Sequence, residues 1–245
     1  MASPSARTIR RRLQDSELKT RRPAKKPLLS RKNVRARLQF ARKYGAWTVD
    51  QWKNVIFSDE SKFNIINSDG KKFVRRPVGK RFDPKYTIST VKHGGGSVMV
   101  WGCFSGRGMG PLHQIEGTMD RFMYKDILEN LMTPYADEVM PLNHYFQHDN
   151  DPKHASKVVK DWLKAEKINV IEWPSQSPDM NPIENLWDYL DRSIRDKKYK
   201  NKQELFKALQ DAWDSIDMSL INRLIESMPR RLSALVKNRG YATQY

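Results

Sequence analysis

The sequence predicts an α/β fold: a mixed sheet flanked by helices, preceded by a basic helical arm. Two observations carry this expectation. Short apolar, strand-like runs dominate residues 55–116, and after residue 145 apolar runs alternate with amphipathic stretches as strand, helix, strand, helix. At 245 residues the chain can bury one substantial core, or one domain with an appendage.

In chain order, residues 5–13 read as a short basic helix with Ser5 as N-cap, patterned like the recognition helix of a helix-turn-helix. Residues 20–30, with Pro23 and Pro27, form a basic extended linker. A helix follows over Arg31–Tyr44, where Val34, Leu38 and Ala41 recur at helical spacing. Val55-Ile56-Phe57 is a short buried strand leading into Asp59, and residues 62–66 and 72–76 are strands around the turn at Asp69-Gly70. Residues 77–96 are irregular and end in three glycines. Ser97–Phe104 is the strongest strand, and Leu112–Glu116 pairs with it across a Gly-rich turn. Asp120–Met140 is helical with a bend near Pro134. Strands at Tyr145–His148 and Ile168–Trp173 alternate with helices at His154–Lys167 and Asn181–Lys197. Helices over 201–216 and 218–237 finish the chain.

Charge is the strongest compositional signal. Residues 1–50 hold 15 Lys/Arg against Asp15, Glu17 and Asp50, so +12 of the formal +17 lies in the first fifth. Such an arm favours a polyanion, because each phosphate neutralised releases counterions. Arg7, Arg10, Arg11, Arg21, Arg22, Lys25 and Lys26 are its candidate DNA contacts. The cluster from Arg21 to Lys26 also suits a nuclear import signal, so the nucleus is the expected compartment. No segment reaches the ~18 apolar residues of a membrane span. Cys103 is the single cysteine, which excludes an intrachain disulfide and thiolate zinc sites.

Chemistry points to three carboxylates. Asp59 and Asp149 follow apolar strands, Glu184 opens a helix, and thirty-four residues separate the last two. That interval has room for one helix, one return strand and a Pro-rich turn, so the chain can leave a sheet edge and return to it. Three carboxylates gathered there would bind two Mg2+ or Mn2+ ions and support an in-line displacement at phosphorus. Each residue also has a plainer reading. Asn181-Pro182-Ile183-Glu184 fits a capping box, Asp149-Asn150-Asp151-Pro152 fits an Asx turn, and Asp59-Glu60 fits a solvated strand end with Glu60 competing as ligand.

The segments Phe57–Phe63, Val91–Phe104, Gln147–His154 and Trp173–Trp187 resemble transposases of the mariner superfamily. The match is to the nematode Tc-one branch, whose second Asp and Glu are also thirty-four residues apart. The resemblance spans essentially the whole chain, including Met228–Arg231 and Gly240–Tyr245. It implies a ribonuclease-H-like catalytic domain over 51–245, with Asp59, Asp149 and Glu184 as the catalytic, metal-binding triad. The implied activity is cut-and-paste transposition: hydrolysis of phosphodiesters at transposon ends, then attack of the freed 3′-hydroxyl on target DNA at a TA dinucleotide. Double-stranded DNA and a second copy of the chain are the implied partners. Residues of about 65–96 would form a clamp loop, in which Arg75 and Arg76 are candidate DNA contacts, with Lys80 and Arg81 beside them.

Family members begin with two helix-turn-helix modules. Residues 1–19 match the end of the second, with 20–50 as linker and helix. The arm should therefore keep affinity for the DNA backbone while sequence-specific readout is largely lost. The competing reading is a catalytically silent DNA-binding remnant; a third is a free-standing ribonuclease-H-like nuclease. Around the triad, His154, Asn150 and Lys153 could orient water or phosphate or simply complete a turn. Trp173 and Trp187 flank Glu184 as core packing or, as the lesser alternative, stack on DNA, and Arg230 and Arg231 bind DNA or cap a helix.

Overall fold

Strand β1 (Val55–Asn64) is the middle of a five-stranded sheet ordered β3-β2-β1-β4-β5. The computed structural model describes residues 4–16, 26–65, 75, 77–79, 83, 96–195 and 197–245. β1 pairs antiparallel with β2 (Ser97–Ser105), which pairs antiparallel with β3 (Gly108–Ile115). On its other side β1 runs parallel to β4 (Tyr145–Gln147), and β4 runs parallel to β5 (Asn169–Val170). The mixed sheet expected from the alternation is therefore present.

β1 is longer than its apolar run suggested. The run Val55–Phe57 and the separate strand expected from residue 62 form one strand of ten residues, because β2 pairs with it as far as Asn64. Asp59 thus lies within a strand, at the point where β4 stops and β2 continues. The strand expected over 72–76 and most of the 65–96 loop lie outside the described residues, apart from isolated positions such as Arg75.

Strand alternation divides the core. Val55 and Phe57 face one apolar layer with Trp187, Trp213 and the C-terminal helices, while Ile56 faces another with Tyr124, Leu128, Val159 and Trp162. The second layer is covered by α4 (Arg121–Ile127), a π-helical turn (Leu128–Met132), α5 (Thr133–Val139) and α6 (Lys157–Ala165). The bend expected near Pro134 is this π-turn. A proline lacks the N–H of a regular helix, and the wider turn accommodates it.

The first layer is covered by α7 (Ile183–Ile194), α8 (Lys202–Asp214), α9 (Met218–Glu226) and α10 (Met228–Lys237). The last two were expected as one helix. Pro229 at the start of α10 ends that continuity, with Ser227 as the junction. α6 starts at Lys157, three residues later than expected, because Ser156 caps it. β5 ends at Val170, earlier than the apolar run to Trp173.

At the front, α1 (Ala6–Asp15) carries the expected Ser5 cap and buries no residue. α2 (Arg31–Tyr44) packs Phe40, Ala41 and Tyr44 into the first core layer. Arg37 on the same helix is fully buried and forks onto Asp179. α3 (Val49–Lys53), not expected from periodicity, is set by a capping box between Thr48 and Gln51 and buries Trp52. No helix among the described residues is long and apolar enough to cross a membrane.

Candidate active site

The parallel register places two of the three predicted carboxylates side by side. Val55 pairs with Tyr145 and Phe57 with Gln147. Continuing that register by two residues brings Asp59 level with Asp149, just beyond the end of β4. Below them Ser58 and the buried Gln147 lock the strands: the Ser58 N–H donates to Gln147 Oε1 at 3.2 Å, and the Ser58 hydroxyl donates to the Gln147 carbonyl at 2.8 Å.

The third carboxylate arrives on α7. Gly102, opposite Asp59 on β2, leaves space for the indole edges of Trp187 and Trp213; a Cβ there would lie 2.9 Å and 3.0 Å from their Cη2 atoms. α7 can therefore lie close against the sheet. Glu184 in its first turn lines the same cleft as Asp59, close enough for its charge to raise the Asp59 pKa. Asp59, Asp149 and Glu184 line one cleft of about 240 Å³ with Trp173, Gln176 and Asn181.

Electrostatics distinguish the three. Burial pushes the Asp59 carboxyl well above its usual pKa, and the charges of Glu184, Glu60 and Asp149 push it further. Burial also raises Glu184, as does the charge of Asp188, against a smaller lowering influence of the nearby Asp59. Among the described residues neither forms an ion pair with a lysine or arginine. Asp149 is the exception: burial would raise it, but hydrogen bonds from His154 and the Asp151 N–H hold it below the usual value.

His154 is the unexpected centre of the site. Its Nδ1 donates to Asp149 Oδ1 at 2.7 Å and its Nε2 to Glu60 Oε1 at 2.9 Å. Both acceptors are carboxylates, so the ring carries both protons. Burial lowers its basicity, yet the two carboxylates outweigh this and raise its pKa to about 9. His148 goes the other way. Burial and the neighbouring His154 lower it to about 3, and its Nδ1 lies 2.9 Å from the Tyr124 hydroxyl.

The plainer readings divide in the same way. The capping box is only half made: Asn181 Oδ1 accepts from the Ile183 N–H at 3.4 Å, but Glu184 does not reach back to the Asn181 N–H and lines the cleft beside Asp59. Asn181 also ties the turn to β1 by donating to the Ser58 carbonyl at 3.4 Å. The Asx turn is present, with the Asp151 N–H donating to Asp149 Oδ1 at 2.9 Å. Glu60 points away from Asp59 and Glu184, across the sheet to His154, as alternation along β1 requires. Glu60 and Tyr124 were missed as site residues. The strand period at Glu60, read with a histidine five residues after Asp149, was the available signal.

Other flanking residues are structural. Asn150 donates to the Trp173 carbonyl, and Lys153 pairs with Asp151 at 2.9 Å. Trp173 and Trp187 are core residues, the latter stacked on Trp213 at 5.2 Å. Arg231 is buried and donates to the Asp179 carbonyl at 2.9 Å, which excludes it as a surface DNA contact, whereas Arg230 is exposed. Arg7, Arg10 and Arg11 are exposed on α1, Arg75 is exposed, and Lys26 donates to the Tyr245 carbonyl at 2.9 Å. Arg21, Arg22, Lys25, Arg76, Lys80 and Arg81 lie outside the described residues.

Three antiparallel strands followed by two parallel ones, with acidic residues at the edge where β4 ends, define a ribonuclease-H-like protein with an acidic cleft. The family described as DDE superfamily endonuclease matches residues 54–206, and one described as transposase matches residues 2–46. The Tcb2 transposase of Caenorhabditis briggsae is 53% identical over 99% of this chain and 89% of its own length. The Tc1 transposase of Caenorhabditis elegans is 50% identical with the same coverage. Among solved structures, the Mos1 transposase paired-end complex with left transposon end superposes with a TM-score of 0.83 at 18% identity, over 97% of this chain and 71% of that one. The catalytic domain of Mos1 mariner transposase superposes at 0.69 and 16% identity, over 90% of this chain and all of that one. The chain belongs to the DDE transposases of the Tc1/mariner superfamily.

Proposed function

We propose that this transposase cleaves DNA at transposon ends and joins the freed 3′ ends to a TA target, using Asp59, Asp149 and Glu184 to hold two Mg2+ or Mn2+ ions. The observation that carries the assignment is the Asp59–Glu184 pair, two largely buried carboxyls lining one cleft, each with a raised pKa and no cationic partner among the described residues. Buried carboxylates left in mutual repulsion fit a site meant for an external cation. Among the described residues no three acidic or imidazole groups close around a single point. The donor set nevertheless fits, since it consists of hard oxygens lining one cleft. When bound, such ions supply Lewis acidity to the attacking and leaving oxygens of a phosphodiester.

The chain's own groups supply the rest. Asp59 and Glu184 present carboxylate oxygens from two walls of the cleft, one on the sheet and one on α7. Asp149 adds a third carboxylate that remains ionised at neutral pH, because His154 and the Asp151 N–H hold its pKa down. The wall formed by residues 173–181 is tied to α2 and the C-terminus through Arg37 and Asp179, so its position is stiff.

In this reading residues 51–245 form the catalytic domain, with 1–19 and 20–50 as the DNA-gripping arm and linker. The exposed arginines of α1, Arg75, and Arg21, Arg22, Lys25, Lys26 and Arg76 contact phosphates. The 65–96 segment clamps a second copy, and the protein works in the nucleus. Solved Mos1 paired-end complexes, including ones with Mn and with Mg, support DNA, a pair of ends and divalent cations as the partners.

The test is strand cleavage and strand transfer on transposon-end DNA with Mg2+ or Mn2+. Asp149→Ala and Glu184→Ala should each abolish both steps while leaving salt-sensitive DNA binding intact. Persistent cleavage by either variant would overturn the triad. Salt-sensitive DNA binding without cleavage by the intact chain would identify it as a silent remnant.

A further inference from the structure

We propose that His154 is a positioning residue for this reaction, clamping Asp149 to Glu60 so that Asp149 offers one defined oxygen to a cation. This rests on reading Asp149 as a ligand. Asp149 is the most exposed of the site's carboxylates, with 52% of its side chain accessible, and it sits on a turn just past a three-residue strand. Left alone, such a side chain would sample several rotamers. Instead Oδ1 receives two donors, His154 Nδ1 at 2.7 Å and the Asp151 N–H at 2.9 Å. No hydrogen bond to Oδ2 occurs among the described residues, so that oxygen is left for a ligand.

The clamp itself cannot swing. His154 is 3% exposed and its other nitrogen is held by Glu60, which is 8% exposed and rooted in β1. The Tyr124 ring stacks on the imidazole at 3.8 Å between centroids, with His148 5.4 Å away. The Tyr124 hydroxyl engages His148 in turn, so the three rings form one packed unit under the acidic cleft. Glu60 and Asp59 are neighbours on one strand but face opposite sides of it. One carboxylate therefore works in the cleft while the other anchors, through His154, the carboxylate of the adjacent strand. Groups that orient metal ligands in this way typically change metal affinity ~10–100-fold when removed.

The experiment measures Mn2+ binding to the full chain without DNA, by electron paramagnetic resonance of the free ion, alongside thermal melting. His154→Asn keeps a donor near the Nδ1 position, His154→Gln reaches only toward Glu60, and His154→Phe fills the ring slot with neither bond. Mn2+ affinity should fall ~10–100-fold in His154→Phe and His154→Gln and stay within a few-fold of the parent in His154→Asn. Glu60→Leu leaves the ring in place and removes its far anchor, so it decides the matter if a ring variant fails to fold; an affinity loss of several-fold is expected there. Asp149→Ala sets the floor. If it binds Mn2+ like the parent, the ligand reading itself fails. If it binds weakly while the folded His154 and Glu60 variants bind like the parent, the clamp is overturned and the ligand reading stands.

Discussion

Replacing Arg37 by alanine should destabilise the protein more than removing any surface charge, and the structure sets the size. The guanidinium is fully buried and donates to the Gly240 carbonyl at 2.9 Å, the Gln176 carbonyl at 3.1 Å and the Ser177 hydroxyl at 2.9 Å. It also forks onto both oxygens of Asp179 at 2.8 Å and 2.7 Å. Breaking a buried ion pair from one side costs ~3–5 kcal/mol, because the remaining charge stays in a poorly solvating environment. Asp179 would keep the N–H and hydroxyl of Thr243 at 2.8 Å and 2.9 Å, which places the expected loss near the lower end, about 3 kcal/mol. In urea unfolding, with a slope of ~2–3 kcal/mol/M, the midpoint should fall by about 1 M. Cleavage should fall as well, since the same arginine holds the 173–181 wall of the cleft. Arg37→Met combined with Asp179→Leu should recover part of the loss by removing both charges together. A midpoint shift below ~0.3 M for Arg37→Ala, under 1 kcal/mol on that slope, would refute the claim that this pair holds α2, the cleft wall and the C-terminus together.

Three further outcomes follow from the same geometry. Asp59→Asn should abolish cleavage yet raise the melting temperature of the metal-free protein by about 2–4 °C, roughly 1 kcal/mol for a chain this size, because it removes a carboxyl whose ionisation is opposed by burial and by Glu184; a lowered melting temperature by calorimetry would contradict this account. Burial acts to raise the Asp179 pKa, but Arg37 and Thr243 outweigh it and hold the folded-state value below normal. Its contribution is therefore full above the unfolded value of about 3.9 and is lost as pH falls through the folded one. Acid titration of stability should show a drop below pH ~4 that is diminished in Asp179→Asn. Finally, changing Arg7, Arg10 and Arg11 together to alanine should flatten the log–log salt dependence of DNA binding by about 2.7, at ~0.9 per phosphate contact, in a fluorescence anisotropy titration; an unchanged slope would remove α1 from the DNA path.

Much of the fold was legible because its signals are local. Ser5 and Ser30 cap helices whose apolar or basic spacing is already helical, and Ser97–Ser105 is a run that suits a buried strand. The limits of the elements were less legible wherever a neighbour decided them. β1 runs on to Asn64 because β2 pairs with it, and β5 stops at Val170 although its apolar run continues. Arg37 shows the limit most clearly. In the chain it is one more cation in a basic segment, and only the folded molecule surrounds it with Asp179, Ser177 and Gly240.

For the site, the sequence by itself determined the inventory: three carboxylates, the thirty-four-residue interval, the motifs around them and the basic arm. Those follow from residue type and spacing, which are one-dimensional properties. Tertiary structure decided their division of labour. The pleat of β1 turns Asp59 toward α7 and Glu60 toward α6, the parallel register brings Asp149 level with Asp59, and Gly102 lets Trp187 approach so that Glu184 meets Asp59 instead of capping its own helix. Each of these depends on contact between segments distant in the chain, and burial at such contacts sets which carboxyl has its pKa raised and which is held down by His154.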